Sequence, residues 1–361
     1  MDLLDRLEAE SYRNGEPAED ASHFANLPTV ARSRFVKANA VVLAVVAAGV
    51  ALGGCGGGGD NSGATVGEAP PRAAETSDFP NPSSRSLREL IRNLPSGPEL
   101  APSVSMLRTG RDRFAFGLFD RGNKQIADLK VAIYASQGLD ETARGPYGAR
   151  FEPILVKKRF VSKQTVDDPD AARSVYVTQL PLPRTGGYTV AAVAEFDNRF
   201  IATAPVQVTV DNNSKVPAPG DRAIKVHTPT RSSVGGDIGQ IDTRIPPDSM
   251  HEVDLADALD RHDPVLLLFA TPALCQSRVC GPVTDVAEEV KSEYGDRMDF
   301  IHMEIYNDND ANKGTRPQFN AWHLDTEPVA FAINRRGIVV ERLEGAFSAR
   351  ELIAAVRRAL R

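Results

Sequence analysis

The chain has 361 residues, 42% of them apolar, a formal net charge of -6, and no long run of Lys or Arg. That length allows two domains of ordinary size with real cores. The absence of a basic stretch removes the usual electrostatic footprint for nucleic acid, so no nucleic-acid partner is expected.

Arg32, Arg34 and Lys37 precede an apolar run from Ala38 to Leu52, interrupted by Asn39 and Gly49, which closes in Leu52-Gly53-Gly54-Cys55. These are the parts of a secretory signal: basic n-region, apolar h-region and small-residue cleavage site. The arrangement resembles a bacterial lipoprotein signal, in which the cysteine after cleavage becomes the lipid-modified first residue. That resemblance implies lipidation of Cys55, a lipid membrane as partner, and a cell-membrane location on the extracytoplasmic face, where disulfides persist. An uncleaved anchor is the alternative, but the run is shorter than the ~20 residues that comfortably span a bilayer. Residues 1–28 are acidic where a signal begins basic, including Asp2, Asp5, Glu8 and Glu10. Residues 1–55 are therefore read as the signal and lipobox segment, with 1–29 as a candidate misassigned start and Val30 as a later initiator.

Residues 56–98 shift to Gly, Ser, Pro and charge, beginning GGGGDNSG, and are expected to form a flexible tether with a short helix near Ser86 to Leu94. The glycines lack the Lys-Ser/Thr ending of a phosphate loop. Between residues 99 and 211 apolar residues alternate with period two: Phe114, Phe116 and Leu118; Val131 and Ile133; Val175 and Val177; Tyr188, Val190 and Ala192. Separated by turn signals, such runs predict an antiparallel β-sandwich. PLPRTGGYTV resembles the strand-entry corner of immunoglobulin-like (Ig-like) domains, although no Cys or Trp occurs here. Lacking a catalytic constellation, this domain is expected to act as a spacer or partner-binding module. Residues 212–249, rich in Pro and Gly, read as a second linker.

From residue 250 to 361 strands and helices alternate. A helix is expected around Val253 to Leu259, a strand over Val265 to Phe269, a helix from Pro282 to Tyr294, and a strand from Phe300 to Tyr306. A helical patch near Gln318 to Trp322, strands Val329 to Ile333 and Ile338 to Leu343, and a helix after Ser348 complete the pattern. Val283, Val286, Ala287, Val290 and Tyr294 recur at helical spacing and predict one buried face. Between the first strand and the second helix lie Cys275 and Cys280, where unpaired N–H groups and a partial positive charge stabilise thiolates.

This order, with Pro328 at a strand start and the turn Asn334-Arg335-Arg336-Gly337, resembles the thioredoxin fold. The fold class is therefore multidomain: an Ig-like β-sandwich followed by an α/β thioredoxin-like domain. The resemblance implies a cis bond at Pro328 beside the cysteines. The departures are specific. Four residues separate the cysteines instead of two; the family's cysteine positions fall on Leu274 and Ser277, and its buried acid falls on Leu268. Residues five apart on a regular helix point ~140° apart, beyond disulfide reach. Either Cys275 to Cys280 is a non-helical loop, with Pro282 in the first helical turn, or disulfide formation unwinds a turn.

The leading expectation is a membrane-anchored, extracytoplasmic thiol-disulfide oxidoreductase-like protein acting on protein thiols and disulfides of the cell envelope, without a cofactor. Cys275 attacks and Cys280 resolves, beside Pro328. Arg278 is a candidate for lowering a thiol pKa, and Glu327 for raising one. The alternative is a non-catalytic binding or scaffold lipoprotein whose Cys275–Cys280 disulfide is structural. TPALCQSRVC also resembles a peroxiredoxin segment, but Pro272 and Leu268 stand where that family has its Thr and Pro. Copper-delivery proteins of the Sco type share the post-strand cysteine pair and recruit a distant His, for which His302 and His323 are candidates. No zinc-type spacing, Ser/His/Asp signature or dinucleotide fingerprint is present.

Overall fold

The computed structural model describes residues 73–361; the signal segment, Cys55 and the glycine-rich stretch lie outside the described residues. Among the described residues, no helix is long and apolar enough to cross a membrane. The first unit contains α1 (Leu87–Ile91), β1 (Glu99–Pro102), β2 (Gly110–Phe119), β3 (Lys130–Ser136), β4 (Arg144–Pro153), α2 (Lys163–Asp167), β5 (Ser174–Leu182), β6 (Gly186–Phe196), β7 (Arg199–Ala202) and β8 (Val206–Val210). The second contains α3 (Leu255–Asp260), β9 (Val265–Phe269), α4 (Cys280–Tyr294), β10 (Asp299–Met303), α5 (Pro317–Ala321), β11 (Val329–Ile333), β12 (Val339–Glu344) and α6 (Ala349–Ala359).

The expected antiparallel strands form one curled eight-stranded sheet, ordered β1-β2-β5-β4-β3-β6-β7 with β8 on β6. β4 turns the corner by changing partners. Its Arg144 to Ala149 segment pairs with β3, and Arg150 to Pro153 with β5. Phe114, Phe116, Val131, Ile133, Tyr176 and Val190 meet across the curl in one core.

β3 and β6 are buried along nearly their whole length, denser than period-two alternation implies. The reason is a cover over the other face. Residues 73–98, expected to be a tether, lay Phe79, Leu87 and Leu90 against Ala132, Tyr134 and Ala191. Ser86 fixes α1 there with a reciprocal capping box to Glu89.

In the second unit β9 is central and all five of its residues are buried. The sheet order is β10-β9-β11-β12; β10 runs parallel to β9, and β11 antiparallel to both neighbours. α4 and α6 cover one face through Val283, Val286, Leu352 and Val356, packed over Leu266, Leu268 and Ala330. α3 and α5 cover the other, where Trp322 meets Phe269 and Phe331. This is the thioredoxin-like arrangement read from the sequence for this part of the chain.

The two units are joined by more than a linker. Ala115, Ile154, Val175 and Val177 of the first sheet belong to the same apolar cluster as α4 and α6. Between β4 and β5, residues 154–173 carry α2 onto α4, where Ser162 and Thr165 bond Asp285. Residues 212–249 run along the second unit, where the Asp221 carbonyl accepts from the Val339 N–H and the Ala223 N–H donates to the Gly337 carbonyl.

Candidate functional site

The apolar strand β9 ends at Phe269, and register places Val329 opposite it, so Glu327 and Pro328 reach the residues leading into the cysteines. The Glu327–Pro328 peptide is cis, as the resemblance implied. Cys275 to Val279 form a non-helical turn closed by the Arg278 N–H donating to the Cys275 carbonyl at 3.4 Å. The first of the two geometric alternatives is therefore the one adopted. α4 begins at Cys280, two residues before the expected Pro282, which lies in its first turn.

Cys275 and Cys280 are free thiols, the first half-buried and the second fully buried. Both sulfurs and a Glu327 carboxylate oxygen lie within 4.8 Å of one another. Cys280 Sγ lies 3.5 Å from Glu327 Oε2, its single proton shared between that oxygen and Cys275 Sγ, and Cys275 Sγ sits 3.2 Å from the Ser277 hydroxyl.

This geometry drives the two thiols apart. The hydrogen bond from Cys280, helped by Ser277 and by the backbone N–H groups of Cys280 and Val279, brings the Cys275 pKa down to about 6 against the cost of desolvation. Burial, then the bond to Cys275 and the Glu327 charge, hold Cys280 well above the ordinary thiol value. Glu327 is raised to about 8, first by burial and then by the Cys275 charge. Glu327 supplies this carboxylate from the residues leading into β11, the strand beside β9.

Arg278 does not act on the thiols as expected. It occupies the left-handed region, with φ 58. Its guanidinium pairs with Asp170 and, at 3.6 Å, Asp168, while its carbonyl accepts from Ala172 at 3.1 Å. The reason is long-range: the first unit brings these carboxylates to the turn. Neither histidine candidate for copper joins the sulfurs. His302 is buried against Asp248 and the Ala270 carbonyl, and His323 is exposed.

Three groups escaped sequence reading. The backbone of Thr271 lowers the pKa values of Glu327 and Cys280 against the larger effect of burial. Ser277 was visible inside the Cys-x4-Cys spacer as a short donor. Glu304 is buried two residues beyond His302 and accepts from Thr243 at 2.7 Å, and nothing local in the sequence marks it.

Cys275 opens on a cavity of about 320 Å³ whose lining includes Lys163, Gln164, Asp168 and Pro282. Ser277, Val279 and Glu327 border a cleft of about 1080 Å³ whose lining also includes Ser103, Gln125 and Asp170. The first unit, expected to be a spacer or binding module, thus forms part of the surroundings of the cysteines.

No family model and no curated protein matches the chain. Among solved structures, it is similar to a protein described as thiol:disulfide interchange protein DsbE from Chlorobium tepidum, at 18% identity and TM-score 0.30, over 40% of this chain and 99% of that one. It is also similar to a thiol:disulfide interchange protein of the thioredoxin family from Chlorobium tepidum TLS, at 14% identity and TM-score 0.26, with the same coverage of 40% and 99%.

Proposed function

We propose that the protein is a thiol-disulfide exchange protein in which Cys275 is the nucleophile, Cys280 the resolving thiol and Glu327 the proton acceptor. The observation that carries this reading is the gathering of an accessible low-pKa thiol, a buried high-pKa thiol and a carboxylate within 4.8 Å. Exchange requires a thiolate, an accessible sulfur and a second thiol nearby.

In the first step the Cys275 thiolate attacks one sulfur of a partner disulfide. That S–S bond breaks, a mixed disulfide forms, and the first partner thiolate leaves to take a proton from solvent. Cys275 then carries no charge, so one of the contributions raising Glu327 disappears and its carboxylate ionises more readily. Glu327 accepts the Cys280 proton; the Cys280 thiolate attacks Cys275 Sγ and displaces the second partner thiolate. The partner gains two electrons and the Cys275–Cys280 pair loses two. The cleft beside Glu327, open along both units, has room for the partner's chain.

The membrane anchor through Cys55 and the extracytoplasmic location are part of the same proposal, since a lipoprotein signal places an exchange protein where partner disulfides exist. The Ig-like reading of the first unit is supported by the buried Tyr188, whose hydroxyl donates to the Arg184 carbonyl at 3.1 Å in the manner of a tyrosine corner.

The test is the reduction potential of the pair, equilibrated against glutathione buffers with thiol trapping, together with Cys280→Ser as a trap for mixed disulfides. A potential between about -270 and -120 mV and captured partners are expected. A pair that stays oxidised in strongly reducing buffer would instead assign it a structural role.

A further inference from the structure

A second cluster lies in the same unit, behind the cysteine turn. Asp242, Asp248, His251 and His302 are each at most 4% exposed, and one ligand atom from each lies within 4.8 Å of the others. Asp242 and Asp248 come from the segment 212–249, whose composition reads as linker, His251 from just beyond it, and His302 from β10. We propose that these four side chains form a binding site for a divalent transition-metal ion of the zinc class.

One imidazole of the cluster is orphaned. His251 is 1% exposed, and neither of its ring nitrogens has a hydrogen-bond partner of acceptable geometry. Its Nε2 nevertheless lies 3.3 Å from Asp248 Oδ1 and 3.5 Å from Asp242 Oδ2. Ligands about 2.0–2.1 Å from a tetrahedral ion are spaced about 3.3–3.4 Å apart, so these separations suit atoms sharing an ion between them.

His302 is oriented for the same role. His302 Nε2 is 3.0 Å from the Ala270 carbonyl, which can only accept, so this nitrogen carries a proton and Nδ1 faces the cluster. A ring held by a backbone carbonyl on one nitrogen, with the other turned inward, is the usual support for a ligating histidine. The carboxylates are also held: Asp242 accepts from the Arg244 and Asp248 backbones, and Asp248 from Met250.

Charge and donor type agree with such an ion. Two carboxylates and two neutral imidazoles would make a dication electrically neutral in a buried site. Mixed N and O donors favour zinc over calcium or magnesium, which prefer all-oxygen shells. The ion would pin the Asp242 to His251 segment, where the Thr243 hydroxyl accepts from Ala273 in the approach to Cys275 at 3.1 Å. The competing arrangement is a closed ion-pair cluster with His302 protonated against Asp248 at 2.7 Å.

Elemental analysis and zinc titration of the chelator-stripped full chain distinguish the two. We expect one zinc per chain in the wild type and in the Cys275→Ser/Cys280→Ser double variant, with a Tm that rises on zinc addition. In His251→Gln, binding should weaken by at least about tenfold. A wild type that neither retains nor binds zinc overturns the proposal, independently of whether any variant folds. So does His251→Gln binding as tightly as wild type, or zinc that is lost with the two cysteines.

Discussion

Cys275 and Cys280 carry the same chemical group, and their positions give them opposite tendencies. Alkylation of reduced wild type should modify Cys275 first, with a rate that rises with pH and is half-maximal near the Cys275 pKa of about 6. Cys280→Ala removes the largest contribution to that lowering, so the midpoint should move up; a midpoint unchanged by the substitution would contradict the arrangement. Glu327→Gln should slow exchange by about 10²-fold, the low end of what a positioned proton acceptor contributes, while leaving Cys275 alkylation in place. The same substitution has a stability signature. Glu327 is raised in the folded protein from an ordinary 4.5 to about 8, so its contribution is full below pH 4.5 and is lost as pH rises through about 8. The variant, freed of that loss, should gain stability relative to reduced wild type across this window, as read by denaturant midpoints at successive pH values.

At the level of elements, helix ends do much of the positioning. Ser348 caps α6 in a reciprocal box with Glu351 and donates to Glu152 of β4 at 3.0 Å, so one hydroxyl serves both the helix and the contact between units. Ser348→Ala should cost about 1–2 kcal/mol, visible as a lower denaturant midpoint with unchanged slope. These elements differ in how far local sequence announces them. Val329 to Ile333 is an uninterrupted apolar run with Pro328 before it, and the strand has those bounds. The Val283 to Tyr294 stripe announces α4 because burial of one face imposes its spacing. The turn from Cys275 to Val279 is different: Arg278 turns toward Asp168 and Asp170, more than a hundred positions earlier, and no local pattern contains that pairing. Likewise Asp242 and Asp248 sit in a segment whose prolines and glycines mask its buried side chains, and His251 lies just beyond it. Leu87 and Leu90 after Ser86 were a readable helix start, but the sheet face they cover is built from later strands.

Across the whole molecule, the boundary between units is a core rather than a hinge. Arg113 of β2 reaches α6, pairing with Glu351 at 2.9 Å and donating to the Glu344 and Ala346 carbonyls. Against the opposing effect of burial, Arg113 helps hold the Glu351 carboxyl below its ordinary value. That contribution is present above the unfolded carboxylate pKa and is lost as pH falls through the folded one, so acid should loosen this joint. Arg113→Ala, which strands a buried carboxylate, should destabilise the protein by about 3–5 kcal/mol. Calorimetry of the wild type should show one transition for both units; two separate transitions would deny the shared core. The joint also passes beside the cysteines, because the Arg278 carbonyl accepts from Ala172 in the chain leading into β5. On the proposed exchange, closing a Cys275–Cys280 bond would draw in the turn to which that hydrogen bond is tied. The oxidation state would thereby be displayed on the neighbouring unit's surface, and amide exchange at residues 168–173 should differ between the two redox forms. A partner resting only on that surface would have a means of distinguishing a charged courier from a spent one without touching either sulfur.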